Sequence, residues 1–165
     1  PPHAPGTTVG STEHQEAAQR VADASATLVR NEGDLLPLAE GTNVSVRGEG
    51  RSMIEDGLND TGVSLVDESA DVVVIGTNGA RGSQEQRALV DSVREQGTPV
   101  IVVAQGGPYD LEAFPDVDAF IAVYSDVEVS LAAAARVISG QVDPRGTLPV
   151  AIPGADVEAG AGLRF

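Results

Sequence analysis

The sequence predicts a doubly wound, three-layer α/β sandwich, on three observations. Asp71-Val72-Val73-Val74-Ile75-Gly76 and Val100-Ile101-Val102-Val103-Ala104 are unbroken apolar, β-branched runs, the pattern of parallel strands covered on both faces. Between them lies a helical stretch opened by Ser83 and Gln86 as a capping box, with Leu89, Val90 and Val93 on one face and Arg94 and Glu95 on the other. Gly97 then stands where a helix-ending glycine belongs, with Pro99 just beyond. A strand–helix–strand unit of this kind crosses over right-handed and needs cover on both faces. The rest of the chain must supply it.

Residues 1–10 hold three prolines and two glycines without periodicity and read as a linker. Thr12 and Gln15 predict a capping box for a helix reaching about Asn31, with Ala18, Val21, Ala22, Ser25, Leu28 and Val29 as its buried stripe. Gly33 ends it, and Leu35-Leu36-Pro37-Leu38 is an apolar extended segment. A short strand follows at 43–47, then a weak helix at 51–59 and a short strand at 63–66. After the central unit come the turn Gly106-Gly107-Pro108-Tyr109-Asp110, a helical turn through Phe114, and a strand at 117–124. Ser125 with Glu128 predicts the start of a helix whose Val127, Leu131, Ala134 and Ile138 face inward, closed by Gly140. Leu148-Pro149-Val150-Ala151-Ile152-Pro153 fits only an edge strand, because neither proline can donate to a ladder. The sum is five parallel strands plus one edge strand in the flavodoxin-like order 2-1-3-4-5-6, with an irregular tail from Gly154.

Composition narrows the partners. A chain of 165 residues is one ordinary domain. A formal charge of −15, carried against ten arginines and no lysine, argues against nucleic acid and anionic membrane. No run approaches the roughly 20 apolar residues of a membrane span. The absence of cysteine excludes disulfides, thiolate catalysis and cysteine-held metals. His3 and His14, the two histidines, fall in the linker and the first helix, so no Ser/His/Asp arrangement is credible. Gly48-Glu49-Gly50 and Gly76-Thr77-Asn78-Gly79 follow strands but match neither dinucleotide nor P-loop spacing. No cofactor or metal is expected.

Doubly wound folds bind ligands outside the carboxyl ends of their strands. The candidates for substrate binding there are Asn78 and Arg81 after the third strand, Tyr109 and Asp110 after the fourth, and Tyr124 and Asp126 after the fifth. Each has a structural alternative. The loop 78–83 can be a plain helix entry, Tyr109 and Asp110 can close a turn, and Asp126 can be a first-turn carboxylate favoured by the helix dipole.

Several segments together resemble one family. Arg30-Asn31-Glu32-Gly33-Asp34-Leu35-Leu36-Pro37-Leu38 resembles the K-N-D/E-x-x-L-L-P-L opening of the C-terminal α/β sandwich domain of family 3 glycoside hydrolases. Gly107-Pro108-Tyr109-Asp110-Leu111 resembles its S/N-P-Y-D segment. Ala119 to Ser125, followed by Ala132-Ala133-Ala134-Ala135-Arg136-Val137, resembles its strand and helix. Gly140-Gln141-Val142-Asp143-Pro144-Arg145-Gly146-Thr147-Leu148-Pro149-Val150 resembles its G-x-x-N/D-P-x-G-x-L-P-V/F motif, and Gly162-Leu163-Arg164-Phe165 its ending. The likeness covers residues 11–165 and is nearest the bacterial β-N-acetylhexosaminidase and β-glucosidase branch.

The resemblance implies a retaining glycosidase whose nucleophile sits on an N-terminal (β/α)8 barrel. Such a barrel needs about 200 residues or more, so this chain implies the barrel as a partner, joined through the 1–10 linker. It also implies a β-linked sugar bound between the two domains and no turnover by the chain alone. Some branches of the family take an acid/base glutamate from this domain, but no motif assigns that role to a glutamate here, so no catalytic residue is named. Family habit implies secretion or the cell envelope, with the cytoplasm as the other location. The rival reading is a free-standing carbohydrate- or protein-binding module.

Overall fold

The strands that alternate two apolar faces decide the layers. In the computed structural model, which describes residues 11–165, six strands form one sheet. They are β1 (Thr27–Asn31), β2 (Asn43–Gly48), β3 (Ser64–Leu65), β4 (Val72–Thr77), β5 (Val100–Ala104) and β6 (Ala119–Ala122), in the order β1-β6-β5-β4-β2-β3. β3, β2, β4, β5 and β6 run parallel, and β1 pairs antiparallel with β6. The expected fold class and the order of the five parallel strands are therefore observed. The 1–10 linker reading lies outside the described residues.

Successive side chains of a strand point to opposite faces. Val72, Val74, Ile101, Val103, Ala119 and Ile121 accordingly enter one core with helices α2 (Arg51–Asn59) and α4 (Glu128–Ser139). Val73, Ile75, Val100, Val102, Phe120 and Ala122 enter a second core with helix α3 (Gln84–Glu95), Leu111, Phe114, Leu148 and Ile152. Helix α1 (Thr12–Ser25) lies outside the first core against α4.

Two elements depart from the sequence reading. The first helix stops at Ser25, and residues 27–31, read as its last turns, are instead β1. Its expected buried stripe does not exist: α1 has no buried residue, and Val21 is 67% exposed. Thr27 and Leu28 are fully buried, paired with Ala122 and Ile121. Pairing β6's open edge and burying a leucine outweigh one further helical turn, and β-branched Thr27 and Val29 suit an extended chain. β1 thus fills the edge position expected for residues 148–153. That segment forms no ladder with β6. It lies over the second core, where Leu148 and Ile152 are buried, and its backbone bonds to the tail through Leu148 N to Ala161 O and Gly160 N to Leu148 O, both 2.8 Å.

Caps differ by a residue or two. Ser11, not Thr12, caps α1 and accepts from His14 N. α4 starts after Val127, which is 49% exposed rather than inward, while Leu131, Ala134 and Ile138 are buried as expected. Gly140 ends α4 at φ 80°, a conformation natural to glycine.

Candidate functional site at the carboxyl edge

The chain passes from β2 through α2 outward to β3, then returns across β2 to β4. The switch point, where such folds usually bind ligands, is therefore the crevice between the loops after β2 and β4. Here it is shut. Glu49 N–H donates to Gly76 O at 2.8 Å, and Gln105 Nε2 donates to Glu49 O at 2.8 Å. Gln105 is 2% exposed, and its own backbone N–H bonds Thr77 O at 2.9 Å. A methyl placed on Gly76 would overlap the Glu49 carbonyl oxygen, and one on Gly48 would overlap the Gly76 oxygen. Backbone and the Gln105 side chain therefore fill the crevice between these two loops.

One strand further along the same edge lies an open cavity of about 290 Å³, lined by Asn78, Gly79, Arg81, Gly82, Tyr109 and Asp110 among others. Its floor is fixed by Asp110, a carboxylate only 4% exposed. One oxygen accepts from Thr77 Oγ1 at 2.7 Å and the other from Ala80 N–H at 2.8 Å. Ser83 Oγ accepts from Gln86 N–H at 3.2 Å, as the capping pattern requires. The Gln86 side chain does not return to Ser83, however. It clamps Asn78, accepting from its N–H and donating to its C=O, each at 2.9 Å.

The rim is cationic and aromatic. The Arg81 guanidinium stands 5.8 Å from the centre of the Tyr109 ring, within cation–π range. Its Nε also meets Glu112 at 3.2 Å. Arg87 donates to Ala80 O and Arg81 O, holding the Arg81 backbone from below. Both carboxylates here are engaged, Asp110 inside the loop and Glu112 with Arg81 and Gly154 N–H.

Four of the six sequence-selected residues thus converge: Asn78, Arg81, Tyr109 and Asp110. The other two do not join them. Asp126 is exposed and lines neither cavity. Tyr124, at φ 63°, lines a separate opening of about 350 Å³ with Ser25, Arg145 and Thr147. Thr27 Oγ1 donates to Ser25 O at 2.9 Å, so the 2.8 Å bond between the Tyr124 and Thr27 hydroxyls has Tyr124 as donor. Burial raises the Tyr124 pKa above its ordinary value; the phenol is neutral near pH 7. Sequence reasoning missed Gln105, Gln86 and Glu112. Gln105 had a signal, since it is a polar residue closing an apolar run just before a glycine pair.

The glycosyl hydrolase family 3 C-terminal domain matches residues 59–161, more than half of the chain. A fungal multi-domain family 3 β-N-acetylglucosaminidase, described with a GCN5-related glucosamine N-acetyltransferase region, is similar at 25% identity and TM-score 0.80. That match covers 94% of this chain and 21% of the other. A family 3 β-N-acetylglucosaminidase from Paenibacillus sp. str. FPU-7 matches at 22% identity and TM-score 0.72, over 89% and 34%. A Listeria innocua β-glucosidase, solved with glucose, matches at 21% identity and TM-score 0.73, over 88% and 28%. The latter two likenesses are of fold alone. The chain spans about a fifth to a third of the length of these proteins. No curated protein matches.

Proposed function

The chain belongs to the glycosyl hydrolase family 3 C-terminal domain family, and from that premise we propose that it serves a retaining β-glycosidase as its non-catalytic domain. The enzyme would be a β-N-acetylhexosaminidase or β-glucosidase. The domain packs against a (β/α)8 catalytic barrel and helps shape the mouth of its active site. One observation carries the reading: the open cavity at the carboxyl edge offers a cation and an aromatic ring, while both nearby carboxylates are already engaged. Glycoside hydrolysis by two carboxylates needs one free to protonate the leaving oxygen and another to attack. This cavity can position and recognise; it has no free pair for the chemistry.

Within this reading Asn78, Arg81 and Tyr109 face the sugar or the barrel, and Asp110 is a positioning residue beneath them. Tyr124 and Asp126 contact whatever lies over the far end of the edge. Secretion or placement in the cell envelope belongs to the same proposal and rests on family habit; fractionating the source cells tests it.

The deciding assay offers aryl β-N-acetylglucosaminides and aryl β-glucosides to the chain alone and to the chain joined to its barrel. Hydrolysis is expected from the joined protein only. Turnover by the chain alone overturns the proposal. Calorimetric binding of N-acetylglucosamine oligomers to the chain alone, without association with a barrel, would favour a free-standing sugar-binding module.

A further inference from the structure

The candidate cavity is lined by an asparagine followed directly by a glycine, Asn78–Gly79. Asn78 is exposed, and its side-chain amide makes no hydrogen bond among the described residues. The next residue is Gly79, at φ 68°, with nothing within 4 Å of where a Cβ would be. The Gly79 N–H likewise donates no bond among those of the described residues. Seen from Gly106, the Asn78 side-chain carboxamide and the Gly79 nitrogen lie on one side: a methyl on Gly106 would overlap Asn78 Oδ1, with Asn78 Cγ 3.2 Å and Gly79 N 3.4 Å away. Gln86 Nε2 donates to the Asn78 carbonyl at 2.9 Å. That bond draws charge from the amide and makes the Gly79 N–H easier to deprotonate.

We propose that Asn78–Gly79 is a self-modification site at which Asn78 is converted, without an enzyme, to aspartate and isoaspartate. Base takes the Gly79 N–H proton, and the nitrogen attacks Asn78 Cγ. The Cγ–Nδ2 bond breaks, and Nδ2 leaves as ammonia after taking up a proton. Water then opens the five-membered imide at either carbonyl, so that asparagine and water give a carboxylate and ammonium. A side chain at position 79 would crowd the attacking nitrogen, and glycine removes that barrier. The product adds a negative charge to the cavity that holds Arg81. In its isoaspartyl form it also lengthens the backbone by a methylene inside the Gln86 clamp. The inference rests on the cavity alone and stands whether or not the chain serves a glycosidase.

The test is to age the folded chain in mildly alkaline buffer and map its peptides by mass, alongside methyl-acceptor labelling of isoaspartate. The chain's other asparagines, Asn31, Asn43 and Asn59, precede Glu32, Val44 and Asp60 and serve as internal controls. Conversion at Asn78 should exceed theirs roughly ten-fold or more, because only Asn78 precedes a glycine. The same map on chain held in urea gives the unprotected rate. Equal conversion at all four asparagines overturns the proposal, as does a folded rate more than roughly ten-fold below the urea rate, since local structure would then be guarding the site. Gly79→Ala should suppress the conversion; because alanine is strained at φ 68°, Asn78→Gln, which leaves the backbone unstrained, supplies the second variant and should remove the isoaspartyl signal.

Discussion

Two gaps between neighbouring loops lie side by side on the carboxyl edge, and they are opposites. The one between the loops after β2 and β4 is the topological switch point, yet backbone touches backbone there and Gln105 plugs what is left. The one between the loops after β4 and β5 has no topological privilege, yet it is open and carries the cation and the ring. Topology says where loops diverge; small residues and one buried amide decide whether divergence leaves a hole. In this chain glycines at 48 and 76 let the backbones close on the expected site, and Asp110 props open its neighbour.

Adding volume to the closed gap should produce the largest effect. Gly76→Ala forces a methyl onto the Glu49 carbonyl oxygen, where two backbones must separate and no flexible side-chain tip can yield. Overpacking of this kind costs about 3 kcal/mol or more, read as a lower urea midpoint at unchanged slope. A midpoint within error of the parent would mean the closure is soft and the contrast false. Next comes the prop of the open gap. Asp110→Ala leaves the buried Thr77 hydroxyl and Ala80 N–H without their acceptor, a loss of about 2–3 kcal/mol. Asp110→Asn should cost less, because its oxygen can still accept from Ala80 while the Thr77 hydroxyl turns to accept from the new amide. Equal losses in the two variants would show that charge, not hydrogen bonding, holds the loop.

The two gaps also differ in how far the sequence revealed them. The β-branched runs at 72–75 and 100–104 announced buried parallel strands, and the loops that follow them in the order of strands placed Asn78, Arg81, Tyr109 and Asp110 at one edge. Such local signals are strong because burial on both faces allows few residue types. The closure at Gly76 was not legible, because it depends on Glu49 and Gln105 arriving from other parts of the chain. β1 was misread for a related reason. Residues 18–29 carry a helical period, and only the unpaired edge of β6 makes the extended form of 27–31 the better one. Tyr124 and Asp126 were grouped with the site because they follow a strand, but that strand is β6, and Tyr124 lines the opening with Ser25 and Arg145 on its β1 side rather than the cavity between the loops after β4 and β5.

The closed gap can be broken more gently. Gln105→Ala removes the plug without moving backbone, leaves Glu49 O without its side-chain donor, and should cost about 1–2 kcal/mol. It also makes room at the switch point. If plugging alone blocks ligands there, the variant should gain a small-molecule site, detectable as stabilisation by phosphate or nucleotide in a melting series. If melting stays unchanged, the backbone contact at Gly76 is the true barrier.

The smallest effect on stability should come from the residue with the most to do at the surface. The Arg81 side chain is 56% exposed, and its ion pair with Glu112 is solvent-screened. Such pairs contribute about 0–1 kcal/mol, and the contact with Tyr109 adds a similar amount. Arg81→Ala should therefore lower the urea midpoint only slightly, by less than any variant above. Under the proposed packing against a catalytic barrel, association with that barrel should suffer more, and the loss should shrink as salt is added, since a rim cation acts through charge complementarity on the association rate. Tyr109→Leu separates the two contributions, removing the ring beside the guanidinium while keeping the ion pair with Glu112. A variant at Arg81 that destabilises the fold as strongly as Asp110→Ala would turn the cavity's rim into part of its frame, and the contrast between a sealed gap and an open one would collapse.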